Sequence, residues 1–386
     1  MSEALQDFKT DLKRTPLDGF HRRAGARMVP FAGYHMPLNY AGGIIAEHQH
    51  VRSAAGLFDI SHMGQLTIRA RSGDPLAACT ALEALVPVDL RSLAVGRQRY
   101  ALLTNERGGI LDDLMVARMP DSLFAVVNAS RKDADQKYLR EKLSATCDIE
   151  RHDDRALLAL QGPLAAKALE EFAPGVSDLA FMDVRSMKIL GRECIVARSG
   201  YTGEDGFEIS VPAEIAELFA QKLAAKEEVK LIGLGARDSL RLEAGLCLYG
   251  SDIDESTTPV EASLSWAIQK SRRPDGERPG GFPGEREIFR ELNEGSSRRR
   301  VGLCPDGRAP IRHGARLFES KTAQEPVGHV TSGCFGPTVN APVAMGYVKR
   351  EIPEGAIVFA ELREKRIPTK LVPLPFVKPN YKRSQK

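Results

Sequence analysis

The chain has 386 residues, 42% of them hydrophobic and 27% charged. That is the composition of a folded globular protein, and the length calls for two or three cores rather than one. A net charge of +3 is too small to point to nucleic acid, though it mildly favours an acidic protein partner, and no run approaches the ~18 apolar residues of a membrane span.

In chain order, residues 1–9 carry acids and no apolar stretch, which predicts neither a secretory signal nor an organelle transit peptide and so a cytoplasmic protein. Five histidines (21, 35, 48, 50 and 62) crowd the first 62 positions. Residues 44–55 read as a helix stopped by Gly56. His48 and His50 stand two apart on it and cannot face one ligand point, so no metal is expected. His62, in Asp59-Ile-Ser-His-Met-Gly64, reads as structural, with Ser61 and Met63 lining a cavity or packing the core. Asp74-Pro75 opens a helix to about Leu85, with Asp as N-cap and Pro at the first helical position. Gly108-Gly109 then turns the chain into a strand headed by two acids. Asp112 shares a face with Leu114 and Val116, and Asp113 with Met115. At most one of them enters a given pocket, and the pattern leaves open which. A carboxylate beside a desolvated centre moves protons or stabilises a cation.

A repeat follows. Residues 115–143 and 195–223 both read as strand, turn, strand, helix. Val116-Ala-Arg118 matches Val196-Ala-Arg198, and Lys142-Leu143 matches Lys222-Leu223, both pairs 80 positions apart. Two such units predict related α+β lobes with antiparallel sheets. The same offset sets Asn128 and Glu208 at equivalent places on second strands. In Phe207-Glu-Ile-Ser-Val211 the apolar residues share one face, so Glu208 faces the other way. Lobes packed about a pseudo-twofold axis would bring this amide and this carboxylate to one pocket.

Glu208 can accept two parallel hydrogen bonds from an amino-pyrimidinone edge, charge-assisted bonds of roughly 1.5–3 kcal/mol each. Arg237 and Arg241 are four apart on a predicted helix and share a face. They read either as part of a surface ion pair with Asp238 or as a grip on a ligand carboxylate or carbonyl. Neither a dinucleotide fingerprint nor a phosphate loop is present, so nicotinamide, flavin and nucleoside triphosphates lack support. The six cysteines (79, 147, 194, 247, 304 and 334) show no Cys-x-x-Cys spacing. Reduced, buried thiols in a reducing compartment are expected. Residues 273–297, rich in Gly, Pro and charge, read as a connector. Short β-rich runs beyond it predict a small barrel or sandwich.

With these residues in hand, the chain resembles the aminomethyltransferase family, the T-proteins of the glycine cleavage system. The likeness runs through Arg14-Thr-Pro-Leu17, Phe31-Ala-Gly-Tyr34, Leu57-Phe-Asp-Ile-Ser-His-Met63, Thr104 to Asp113, Ala159-Leu-Gln-Gly-Pro163, Gly200 to Glu208, Ala236 to Gly250, Thr257-Thr-Pro-Val-Glu261, Leu264-Ser-Trp266, Ala344-Met-Gly-Tyr347 and Asn380-Tyr381. It implies an α+β three-domain cloverleaf. Residues 1–272 would form two interwoven folate-binding lobes crossing near 55 and 145, and residues 298–386 a C-terminal β-barrel. It also implies transfer of an aminomethyl group from the dihydrolipoyl arm of a carrier, the H-protein, to tetrahydrofolate as cosubstrate, with ammonia and 5,10-methylenetetrahydrofolate as products. Carbon keeps its oxidation level, so no metal, flavin or nicotinamide is implied. By motif, Asp113 matches the catalytic acid. Glu208 and Asn128 match pterin-edge ligands, Tyr100, Tyr201 and Met63 folate-pocket positions, Arg237 the substrate-binding arginine, and Tyr381 a C-terminal folate contact. The chain departs from the family in a loop one residue shorter between Asp113 and Asn128. Two other readings belong to the same superfamily: a folate-dependent demethylase, and a non-catalytic folate-binding scaffold.

Overall fold

A three-stranded sheet comes first, with β1 (Lys13–Arg14), helix α1 (Asp18–Arg23), β2 (Arg27–Phe31) and β3 (Tyr34–Asn39). The computed structural model describes residues 12–384, so the acid-bearing segment 1–9 lies outside the described residues. Helix α2 (Gly43–Ser53) leads into β4 (Ala55–Asp59). The helix ends before Gly56, contrary to expectation. Gly56 lies in β4 because a side chain there would strike Val51 and Ile232, so it serves close helix-to-strand packing rather than a cap.

The first lobe runs β5 (Gly64–Ala70), α3 (Pro75–Glu83), β6 (Arg97–Thr104), β7 (Ile110–Arg118), β8 (Leu123–Val127), α4 (Lys132–Leu143) and β9 (Cys147–Arg151). Asp74 caps α3, its Oδ1 accepting from the Leu76 amide at 2.9 Å. The second lobe repeats the order with β10 (Arg155–Gln161), α5 (Ala165–Glu170), β11 (Val184–Ile189), β12 (Arg192–Ala197), β13 (Gly206–Pro212), α6 (Ala213–Ala224) and β14 (Val229–Leu231). The sheets read β6-β7-β8-β5-β9 and β11-β12-β13-β10-β4-β14. All pairings are antiparallel except β4 with β14. Because β4 belongs to the second sheet and β5 to the first, the chain crosses between lobes at residues 60–63 and returns at 152–154, not near 55 and 145. Each sheet is covered by its own helices. On α6, Ala216, Phe219, Ala220 and Leu223 form the i, i+3, i+4, i+7 stripe buried against β10 and β13.

The two hairpins do not keep the 80-residue register along their second strands. Ala197 faces Glu208, whereas Ala117 faces Phe124. The counterpart of Glu208 is therefore Phe124, and Asn128 lies one residue past the end of β8. The link at 198–205 is longer than the one at 119–122, and α6 regains the offset by starting directly after its strand. Faces of the two sheets meet through Ala117, Met119 and Phe124 on one side and Val184 and Ala197 on the other.

Helix α7 (Leu234–Glu243) follows the second lobe and packs against β3 and the barrel. The breaker-rich stretch holds helix α8 (Glu285–Glu294), which buries Ile288 against Phe282 and Ile268. The closed barrel comprises β15 (Arg298–Pro305), β16 (Arg316–Phe318), β17 (Pro326–Gly336), β18 (Ala341–Lys349), β19 (Ile357–Leu362) and β20 (Lys365–Val372), in the order β15-β18-β17-β16-β19-β20. A network of polar side chains around Thr338 ties it to α2 and α7. His48 hydrogen-bonds with Ser239 Oγ at 2.7 Å and Thr338 Oγ1 at 2.8 Å, and Glu243 accepts from Arg52 Nη2 at 3.0 Å and the Thr338 amide at 2.8 Å. His48 is thus a structural residue, and His50 hydrogen-bonds with the carbonyls of Ala55 and Glu228. Among the described residues no group of His, Cys, Asp and Glu side chains is placed to hold a metal, and no helix is long and apolar enough to cross a membrane. All six cysteines are unpaired.

Candidate active site

The head of β7 is fixed by the turn before it. Asn105 Oδ1 accepts from the amides of Arg107 at 2.9 Å and Gly109 at 3.0 Å, while its Nδ2 donates to the Glu255 carbonyl at 2.9 Å. Gly108 has φ +81°, and a methyl on Gly109 would overlap the Glu255 carbonyl. Gly109→Ala is therefore expected to cost about 1–3 kcal/mol by overpacking. It should lower kcat further, since a displacement of about 1 Å at a reacting group costs about 10²-fold. Thermal unfolding and turnover on one preparation check both effects.

Along β7 the acids part as alternation requires. Asp112, Leu114 and Val116 face the helix layer, fully buried or nearly so. Asp113 lies on the face turned to the second lobe. Its Oδ2 accepts from Tyr100 Oη at 3.0 Å and its Oδ1 from Asn128 Nδ2 at 2.7 Å. Burial, reinforced by the charge of Asp112, pushes its carboxyl up to about 7. Tyr100 stacks on Trp266, with centroids 5.3 Å apart, and Trp266 is 59% exposed. Two side chains, Trp266 and Tyr100, thus lead from the surface to the acid, beside a cavity of about 340 Å³ lined also by Gln98, Arg97, Arg99, Met182 and Gln269.

Glu208 opens onto the seam between the lobes together with Gln98, Phe124, Val126 and Ser210. Its Oε2 accepts from Ser199 Oγ at 2.9 Å. The loop that presents it is held by Gln161, whose Nε2 donates to the Ser199 carbonyl at 2.8 Å and whose Oε1 accepts from Thr202 at 2.9 Å. Only glycine fits at 200 against that amide. Tyr201 projects from the same loop and donates to the Cys247 carbonyl. The Arg237 guanidinium lies 4.7 Å from the Tyr201 ring centre, within the field of Glu208, and its buried Nη1 has no hydrogen-bond partner. Arg241 differs. Its Nε donates to Asp238 at 2.9 Å, Nη1 to Asp252 at 2.6 Å and Nη2 to Ser332 at 2.8 Å. It is a strut between α7 and β17, not a ligand grip.

Hydrogen bonds join Asp113 with Tyr100 and Asn128, and Arg237 stands against Tyr201 within the field of Glu208; Tyr100 lines one cavity and Glu208 another, with Gln98 common to both. Asn128 arrives in a different posture from the one expected. Its Nδ2 serves Asp112 Oδ1 at 2.9 Å as well as Asp113, and its backbone amide serves Asp112 Oδ2 at 3.0 Å. Both amide hydrogens are therefore spent on acids, leaving only the carbonyl side for a pterin edge. Met63 packs with Val126 on the core of Phe58, Ile60 and Leu240. His62 is buried edge-on to Phe31, and burial lowers its basicity to about 3. Tyr381 stacks on Phe181 at 4.1 Å, beside Met182, and stands apart from the hydrogen-bonded group around Asp113. Sequence reasoning passed over Asp135. It sits on α4 in the buried stripe with Lys132, Leu139 and Leu143, and an acid in a core stripe is the signal that could have found it. Trp266 was noted only as part of a motif, and nothing local marks it as the cover of Tyr100.

The chain matches the GCVT N-terminal domain family over residues 17–272 and the glycine cleavage T-protein C-terminal barrel domain family over residues 298–378. It is 43% identical over 391 aligned positions to the mitochondrial aminomethyltransferase of Dictyostelium discoideum, covering 97% of this chain and 94% of that protein. It is 42% identical to the probable mitochondrial aminomethyltransferase of Schizosaccharomyces pombe, covering 96% and 95%. The crystal structure of the glycine cleavage system aminomethyltransferase T of Bartonella henselae superposes with a TM-score of 0.90 at 43% identity, over 97% of this chain and 100% of that one. Across its full length, the chain belongs to the glycine cleavage T-protein family and is an aminomethyltransferase of the glycine cleavage system.

Proposed function

We propose that the chain moves the aminomethyl carbon from the dihydrolipoyl arm of an H-protein carrier onto tetrahydrofolate and releases ammonia. The observation that carries this reading is Asp113, a carboxyl pushed up to about 7 and held by two side-chain donors, with Arg237 set against Tyr201 within the field of Glu208.

The residues fit a flat, amide-rich cosubstrate. Glu208 offers a carboxylate to paired N–H donors, Arg237 offers an unpartnered buried N–H to a carbonyl or carboxylate, and the Tyr100 and Tyr201 rings offer apolar flanks. Reduced folate, when bound, supplies the amine nucleophiles that take up the carbon. The protein's part is electrostatic. Ionised Asp113 opposes the positive charge that develops at the transferred carbon, and its fixed partners mean that nothing reorganises at that moment. The same carboxyl, with a proton affinity matched to neutral solution, can hold a proton for the departing amine. The unpaired thiols fit a reducing compartment.

Mixing the protein with aminomethylated carrier, with and without tetrahydrofolate, and following ammonia tests the reading. Release should depend on both components. Release from a free methylated amine instead would favour a demethylase, and folate uptake without turnover would favour a scaffold.

A further inference from the structure

The seam between the lobes holds a polar group that the fold leaves unmet. Gln98 is only 6% exposed, and its buried Nε2 has no hydrogen-bond partner. Among the described residues, no other buried side chain with an unmet polar atom lines either of the two cavities described above, and Gln98 lines both. A buried amide N–H without an acceptor is destabilising, and in a folded protein it calls for a water or a ligand.

The backbone pins this amide in place. Alternation sets Gln98 on the same face of β6 as Tyr100, opposite Ala117 of β7. Its main-chain N–H donates to the Met182 carbonyl at 2.9 Å. Met182 is itself held at φ +73°, a costly left-handed conformation for a long side chain, and its own amide donates to the Arg198 carbonyl at 2.8 Å. Polar neighbours are engaged elsewhere. Ser210 Oγ donates to Gln65 at 2.5 Å and accepts from Arg155 at 2.7 Å. Tyr100 donates to Asp113, Gln269 Oε1 accepts from the Asp89 amide at 2.9 Å, and Glu208 Oε2 accepts from Ser199. Arg97 and Arg99 are committed to Asp183 and to the Asp89 carbonyl.

We infer that Gln98 is a ligand-binding residue that sets affinity for the cosubstrate, its Nε2 donating to a carbonyl oxygen of bound reduced folate. The inference rests on the proposed reaction. A neutral acceptor suits a neutral donor whose neighbouring cations are already paired or bonded. Reduced folate offers carbonyls of two sources, the oxo group of its ring and the amide of its benzoyl-glutamate tail. Gln98 shares one cavity with Glu208 and the other with Tyr100 and Trp266, so the test separates the two sources.

Gln98→Met keeps the length of the side chain without its amide, and Gln98→Glu keeps its shape without the donor. The full-length protein is titrated with tetrahydrofolate and followed by the fluorescence of Trp266, the only tryptophan in the chain. Both variants should bind about tenfold more weakly, the weight of one hydrogen bond to a ligand. In turnover the loss should fall on KM for tetrahydrofolate rather than on kcat. Gln98→Met should also melt at or above the wild-type temperature, since its unmet N–H is gone. Parallel titrations with tetrahydropterin and with 4-aminobenzoylglutamate assign the carbonyl to the fragment whose binding weakens. Unchanged tetrahydrofolate affinity in a folded variant overturns the inference and gives the amide to a bound water, and a fall in kcat with KM kept overturns it too. Gln98→Glu decides alone if Gln98→Met does not fold. Wild-type protein that takes up no tetrahydrofolate overturns the proposed reaction itself, so the two failures are distinguishable.

Discussion

Asp113→Asn is expected to bind reduced folate within a few-fold of wild type while kcat falls by about 10²–10⁴-fold, the usual cost of losing one positioned acid–base group. The substitution keeps the shape of the side chain and an oxygen for Tyr100, at the cost of setting an amide nitrogen against the Asn128 donor. What it removes is the ability to become anionic beside the transferred carbon. The pH profile gives an independent reading. The wild-type carboxyl is pushed up to about 7 from an ordinary 3.8, chiefly by burial. If the anion is the active form, wild-type kcat/KM rises with pH through about 7 and then levels, and Asp113→Asn lacks that limb. Stability should move in the opposite sense. Between about pH 4 and 7 the folded state holds this proton more tightly than the unfolded chain does, so its contribution falls as pH rises across that window. Asp113→Asn lacks that fall and should be more stable relative to wild type at pH 8 than at pH 4. Wild-type turnover in the variant would end the assignment, whereas weak turnover with a flat profile would support it.

How much of this was legible in the sequence depends on whether the deciding contact is local. The repeated lobe could be read, because hairpin and helix are local patterns, and α6 buries the stripe its spacing predicts. The register of Asn128 against Glu208 could not, because strand pairing depends on the length of the link before the second strand. Four extra residues at 198–205 moved the equivalence to Phe124. Alternation separated Asp112 from Asp113 but did not choose between them, since Leu114 and Val116 on one face and Met115 and Ala117 on the other are all apolar. In a lobe buried on both sides, apolar neighbours do not mark the core. Arg237 and Arg241 looked alike for the same reason. Their difference lies in Asp252 and Ser332, the latter 91 residues away, and no local pattern carries it.

That pair of arginines gives a prediction in which one substitution, made four residues apart, changes sign. Arg241→Met leaves the buried Asp252 carboxylate without its cation. Hydroxyls of Thr331 and Ser332 and the Leu248 amide would remain, at 2.5, 2.9 and 2.9 Å, but none carries charge. Breaking a buried ion pair from one side typically costs about 3–5 kcal/mol, and here the loss also frees α7 from β17. Arg237→Met removes a guanidinium whose Nη1 is already buried without a partner. Relief of that unmet group contributes about 1–3 kcal/mol, offset by the lost contact with Tyr201 at 4.7 Å. The net should be a protein as stable as wild type or more so. Its kcat/KM should fall by about 10–10²-fold, the weight of one charge-assisted hydrogen bond of about 1.5–3 kcal/mol to a ligand. Denaturant unfolding and steady-state kinetics on both variants settle the contrast. A stable, active Arg237→Met would mean that the orphaned N–H meets no substrate, because stability given up at one position and not recovered as binding has no function to explain it.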